Sequence, residues 1–345
     1  MHFGTIDHII LFGGAPLLAA FAGSIAKRGT YRIDVFSSSR HLEETIFREG
    51  KRLGEILDEN KIPYYDTPDI NRDPRIRELV TERTLGIGIG ETWSFDRELV
   101  DLFDGRLIDF MGIRLPRYRG GAHYSWQILR KDRIGCCNLQ VINEEMVQGV
   151  FDSGEIVKTR EYLFPPSVRI PQDYFDAAVE QERAFLDEFL EEVSAGKDFP
   201  LTRVQETFST YFPRLHTLRN GYIDWNWDSE AIERFICAFD DPYPGASTFL
   251  GERRVFLKGC SLEFGDGPFH PFQAGLVYRI TGAAVFVATR QGTLVIRDIS
   301  DENGRSVFGD IGTGMRFHTP ARCLEDAMRY QAVYDAQGIK EEPHR

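Results

Sequence analysis

The feature that most constrains this chain is the alternation in its first 110 residues. "IDHIILFGG" is a short β-branched apolar run closed by Gly-Gly, and "APLLAAFAGSIAKRG" follows it, rich in Ala and Leu and stopped at Gly29. "YRIDVFSSS", "LGIGIG" and "GRLIDFMG" repeat the strand texture, and "IRELVTERT" and "FDRELVDLF" the helical one. "HLEETIFREGKRLGEILDEN" reads as one further helix with charge pairs at i, i+4 on its outer face. Apolar runs too short for helices, separated by amphipathic segments, predict an α/β fold with a mostly parallel, doubly wound, Rossmann-like sheet. Ligands of such sheets sit beyond the carboxyl ends of the strands. Here those ends are Gly13-Gly14, the "ETWS" stretch at 91–94 and the loop "DFMGIRLPRYRGG" from Asp109 to Gly121. No G-x-G-x-x-G follows the first strand, so a dinucleotide fingerprint is not supported.

The texture changes further on. "DYFDAAVEQERAFLDEFLEEVSAG" is a long amphipathic helix, and "KDFPLTRVQ" reads as a linker. Beyond it come a Pro-Gly turn and short strands with Gly turns, "RRVFLKGCSLEF" and "GLVYRITGAAVFVATRQGTLVIRDIS", which predict a smaller barrel-like β domain. The expected division is 1–200 and 201–345. The 345 residues suffice for two such units. "NWDSEAIERF" is an ordinary helix start, and the charged tail after Ala336 is expected to fray.

Composition excludes several classes of function. A net charge of -12 opposes wholesale binding to nucleic acid or to an anionic membrane. Leu201 to Arg345 carries 16 Lys+Arg against 19 Asp+Glu, so it is no basic RNA-binding module. No apolar run reaches membrane-spanning length, and the start lacks a secretory leader. Five cysteines without C-x-x-C spacing, and histidines without ligand spacing, suggest neither a disulfide framework nor a metal site. A cytoplasmic protein with reduced thiols is the expectation.

"LPRYRGGAHYSWQIL" (Leu115 to Leu129) followed by "DSGEIV" (Asp152 to Val157) resembles the N10-formyltetrahydrofolate-dependent formyltransferases. That family includes methionyl-tRNA formyltransferase and the sugar N-formyltransferases. "IDW" (Ile223 to Trp225) and "FDDPYPGA" (Phe239 to Ala246) resemble the domain junction and C-terminal domain of the same enzymes. The resemblance implies a Rossmann-like catalytic domain and a smaller C-terminal β domain. It implies N10-formyltetrahydrofolate as formyl donor and an amine as acceptor. An oxyanion develops on the formyl oxygen as the amine attacks, so hydrogen-bond donors must be aimed at it. In the family an Asn and a His supply them, oriented by the Asp of D-x-G.

Aligned on Leu115-Pro116, this chain has Asp109 at the Asn position and Met111 at the His position, and Asp152 alone remains. A thioether neither donates nor carries a proton, and an ionised Asp109 repels an oxyanion. Two substitutes are open: a protonated Asp109 acting as donor, or His123, which stands where the family has Pro. The expected catalytic set is Asp152, Asp109 and His123. The resemblance assigns cofactor contacts to Gly88, Trp93, Arg114, Leu115, Pro116, Gly149 and Asp152. It assigns substrate contacts to Arg117, Tyr118, Arg119, Tyr222 and Trp225, with aromatic rings at the junction stacking on a nucleotide base. The run "YFPRLHTLRNGYIDW" favours a nucleotide-linked amino sugar as substrate. A catalytically degenerate binding protein on the same fold and altered acyl or one-carbon chemistry stand as alternatives; a homodimer is left open.

Overall fold

The computed structural model describes residues 1–46, 50–90, 93–150, 152–335 and 338–340. The first half builds one seven-stranded sheet. Strand β1 (His8–Gly13) leads into helix α1 (Ala15–Arg28), which Gly29 ends in a left-handed cap whose N–H reaches Ile25 O at 3.2 Å. Then follow β2 (Arg32–Ser37), α2 (Ser39–Leu42), a small hairpin of β3 (Thr45–Ile46) and β4 (Lys51–Arg52), α3 (Leu53–Glu59), β5 (Tyr64–Asp66) and α4 (Pro74–Leu79). β6 (Thr84–Ile89), α5 (Arg97–Phe103) and β7 (Leu107–Met111) complete the parallel part.

The sheet order is β10-β9-β7-β6-β1-β2-β5. Its last two members, β9 (Ile134–Val141) and β10 (Ile156–Leu163), are antiparallel additions. Between β7 and β9 lie β8 (Arg119–Gly120) and α6 (His123–Arg130), and α7 (Glu144–Val147) sits inside the β9–β10 hairpin. Helix α8 (Pro171–Ser194) buries Phe185, Leu186, Phe189, Leu190 and Val193, a 3–4 spacing that turns one face onto the sheet beside α1.

The single helix expected from His41 to Asn60 is instead two helices with the β3–β4 hairpin between them. Its periodicity is real in α3, but Thr45-Ile46 favours extended backbone and Gly50 turns at φ +63, which stops the helix. Residues 47–49, part of that expected helix, lie outside the described residues. The same holds for 91–92 of "ETWS" and for most of the tail beyond Ala336.

The second half carries β11 (Tyr211–Phe212), α9 (Thr217–Asn220), α10 (Ser229–Ala238) and β12 (Ala246–Leu250). Then come β13 (Arg253–Glu263), β14 (Val277–Thr281), β15 (Ala284–Thr289), β16 (Gly292–Ser300), β17 (Phe317–His318) and α11 (Ala321–Arg329). Six of these strands form an antiparallel sheet in the order β14-β15-β16-β13-β12-β17, against which α10 packs. Asp228 caps α10 by accepting from Ala231 N at 2.7 Å. The core of this half is shared with the first: Tyr124, Ile128, Phe164, Tyr174 and Ala178 cluster with Ile232, Ile236, Val255 and Leu257.

Candidate active site

Three neighbouring strands place the polar side chains. Gly88 of β6 is in register with Asp109 of β7, and Asp109 is in register with Gln140 of β9. Two residues on, Met111 faces Asn138. Because side chains on a strand alternate, Asp109 and Met111 share one face, opposite Ile108 and Phe110 in the core under α8. Asp109 is 3% exposed, and Gln140 Nε2 donates to its Oδ2 at 2.8 Å.

Asp152 closes the β9–β10 hairpin in left-handed backbone, φ +58. Burial raises its carboxyl above the usual range, against the pull of the Arg119 charge and of a hydrogen bond from Gln140. Gln140 therefore stands between the two carboxyls. Its Oε1 is buried without a partner among the described residues. The glycine of D-x-G has a steric cause. A Cβ on Gly154 would lie 2.1 Å from Val141 O and 3.2 Å from Gln140 Oε1.

The loop from Arg114 to Ala122 is braced from within. Leu115-Pro116 is a cis peptide bond, and Tyr118 and Ala122 take left-handed backbone. Arg114 Nη2 and the Tyr118 hydroxyl both donate to Asp132 Oδ2, at 2.7 and 2.6 Å. Tyr118 is buried; its hydroxyl is pushed up to about 12 by burial and by the Asp132 carboxylate. Arg119 Nη2 donates to Asp152 O at 2.8 Å and to Glu206 Oε1 at 2.8 Å. The two sequence motifs thus meet: one guanidinium ties the R-Y-R-G loop to the D-x-G turn. Gly120, φ +106, is required by β11, since a Cβ would lie 2.0 Å from Phe212 O.

Several of the expected site residues have partners within the chain. Tyr118, Arg114 and Arg119 serve internal partners, and Arg117 alone of the loop's arginines is exposed. Trp225 is not a stacking platform: it is 7% exposed, its Nε1 donates to Thr248 Oγ1, and it stacks on Phe317 in the second core. Tyr222 lies along the Phe249 ring with the Arg254 guanidinium 4.4 Å from its centroid. Trp93 donates from Nε1 to Pro68 O, and Gly149 turns the hairpin at φ +92. His123 opens α6 with its ring 4.0 Å from that of Tyr124. Burial and then the Arg214 charge lower its imidazole to about 4, so it is neutral at physiological pH and no general acid there.

Two residues with no sequence signal complete the neighbourhood. Gln140 stands in an unremarkable strand. Glu182, buried in α8, lies under the loop, its Oε1 2.6 Å from where a Gly112 Cβ would be. Burial raises this carboxyl to about 7, opposed by a hydrogen bond with Tyr124. A cavity of about 690 Å³ between α1, α3 and α8, lined by Ala19, Gly23, Glu44, Ile46 and Phe175, contains none of the predicted site residues.

The fold, a mostly parallel sheet followed by a smaller antiparallel one, has known counterparts. Residues 217–310 match the formyl transferase C-terminal domain. Methionyl-tRNA formyltransferase of Desulfotalea psychrophila is 28% identical over 209 residues, covering 60% of this chain and 60% of that protein's length. Among solved structures, WlaRD, a sugar 3N-formyl transferase crystallised with dTDP and 5-N-formyl-THF, superimposes with TM-score 0.62 at 14% identity. That superposition covers 85% of this chain and 98% of WlaRD. HypX from Aquifex aeolicus superimposes with TM-score 0.57 at 18% identity, over 99% of this chain and 49% of HypX. Residues 217–310 thus carry a formyl transferase C-terminal domain, and the chain has the fold of the sugar 3N-formyl transferase. No described helix is long and apolar enough to cross a membrane.

Proposed function

We propose that this protein transfers a formyl group from N10-formyltetrahydrofolate to the amine of a small molecule, an amino sugar carried on a nucleotide. The observation that carries the reading is the Arg119 bridge, which sets Asp152 beside Gln140 and Asp109 at the end of β7. Gln140 Oε1 is a buried acceptor without a partner among the described residues, and a donor on the bound folate or amine would satisfy it. The folate supplies the formyl carbon when bound, held by the Leu115-Pro116 loop, Gly88, Trp93 and the turn at Gly149 to Asp152. WlaRD and an N-formyltransferase from Helicobacter canadensis, solved with folinic acid and dTDP-3-aminofucose, support both the donor and the sugar.

In this reading two carboxyls do what an Asn and a His do elsewhere in the family. One, kept protonated, donates a hydrogen bond where the oxyanion develops; the other, ionised, accepts the proton that the amine loses on attack. His123 enters as a neutral hydrogen-bonding group at the far end of the loop, and Arg117 and Tyr222 as substrate contacts.

The test is formyl transfer from N10-formyltetrahydrofolate to dTDP-linked amino sugars, followed by tetrahydrofolate release. Turnover is expected in the wild type, and Asp152→Asn is expected to lose about 10²–10³ in kcat, as removal of one transition-state group does. Turnover seen only after Asp109→Asn with Met111→His would identify a degenerate binding protein instead.

A further inference from the structure

A second chemical centre lies in the C-terminal half, between α10 and β13. Glu233 and Cys237 are one helical turn apart on α10, and Cys260 reaches in from β13. One ligand atom from each lies within 4.8 Å of the others. The Cys237 and Cys260 sulfurs are 3.9 Å apart, and Glu233 Oε1 is 3.6 Å from Cys237 Sγ. A tetrahedral zinc ion with bonds of about 2.3 Å to sulfur and about 2.0–2.2 Å to oxygen has S···S edges of about 3.8 Å and S···O edges of about 3.5 Å. The observed spacings match both edges.

The surroundings fit as well. Both cysteines are 3% exposed, so they are shielded from competing thiol chemistry. Arg169 touches all three residues. It pairs with Glu233 through Nη2, stands 3.6 Å from Cys237 Sγ and donates to Cys260 O at 2.9 Å. Two thiolates and one carboxylate around a divalent ion leave a net charge of minus one, which this guanidinium neutralises. Such outer partners orient metal ligands and hold them in place. A cavity of about 420 Å³ opens over Cys237 and Cys260 between Lys258, Asp240 and Arg297, leaving a fourth coordination position accessible.

We infer that Glu233, Cys237 and Cys260 bind a thiophilic divalent cation of the zinc class, with Arg169 as outer partner and a fourth position open to solvent. On binding, each thiol gives its proton to solvent and the two thiolates and the carboxylate bond the ion; no electron is transferred. The ion cross-links α10 to β13. The inference stands independently of formyl transfer.

The experiment is titration of the reduced, metal-stripped full-length chain with Co²⁺, then displacement by Zn²⁺. Expected are one equivalent bound per chain, sulfur-to-cobalt charge-transfer absorption with tetrahedral ligand-field bands, and proton release on Zn²⁺ uptake. Cys260→Ser should abolish the charge-transfer band while far-UV circular dichroism stays native. Arg169→Ala keeps every ligand and should retain the band with about 10–100-fold weaker affinity. No uptake by the reduced wild type, or uptake unchanged in Cys237→Ser with Cys260→Ser, overturns the inference. So does a Cys237–Cys260 disulfide in the isolated protein combined with no uptake after its reduction.

Discussion

Glu182 shows how one buried side chain sets pH behaviour. It lies under Gly112, bonds Tyr124 and is near Tyr162 and Cys137, while its carboxyl is raised from 4.5 to about 7 by burial. Below pH 4.5 the carboxyl is protonated in both the folded and the unfolded chain, and its contribution to stability is fully present. As pH rises, the unfolded chain ionises first, so that contribution is lost up to about pH 7 and then levels off. The loss is on the order of 3 kcal/mol, since each tenfold difference in acidity is worth about 1.36 kcal/mol. Glu182→Gln keeps a hydrogen-bonding side chain without the ionisation. Urea denaturation from pH 4.5 to 7 should show wild-type stability falling and the variant's flatter; parallel curves would remove Glu182 from this role.

At the scale of elements, the β9–β10 hairpin decides where Asp152 stands. α7 sits inside this hairpin, and the chain returns through a turn with Gly154 packed on the Val141 carbonyl. Gly154→Ala has no room without moving that turn. Its expected cost is about 1–3 kcal/mol, typical of overpacking. The same displacement carries Asp152 away from Gln140, so kcat should fall more than KM rises. Chemical denaturation with steady-state kinetics checks both; a variant as stable and active as the wild type would show that the turn tolerates displacement.

At the scale of the molecule, the two halves share a core. Tyr124 stands edge-on to Phe164 at 6.0 Å, and both cluster with the helix and sheet of the second half. Residues 199–202 are ordered against the first sheet, with Phe199 N bonded to Met1 O and Ile156 bridged to Thr202. Removing residues 201–345 would expose Tyr124, Ile128, Phe164 and Tyr174 together. The full chain is therefore expected to unfold in one calorimetric transition, and the 1–200 fragment to bind hydrophobic dyes and lack a sharp transition. Two resolved transitions in the full chain would mean that the halves fold independently.

Local pattern determines what depends on neighbours in sequence. Apolar runs and helices with a 3–4 stripe reveal the four central parallel strands of the first sheet, α8 and the strands of the second half, because those periodicities follow from backbone geometry. The R-Y-R-G and D-x-G motifs reveal the loop and the turn, and with them the resemblance to the formyltransferases. The helix expected from His41 to Asn60 fails because Gly50 and Thr45-Ile46 outweigh a periodicity that continues across them. Tertiary structure decides what depends on partners far along the chain. It takes Gln140, 31 residues from Asp109, to couple two carboxyls, and α8 to bring Glu182 under Gly112. Its place near a junction assigns Trp225 to a binding surface, yet a single bond to Thr248 and the Phe317 ring hold it in the core. Cys237 and Cys260 are 23 residues apart with no spacing signature, and only helix-on-strand packing brings their sulfurs within 3.9 Å. Periodicity is written residue by residue, whereas charge, burial and ligand geometry are properties of what folding brings together.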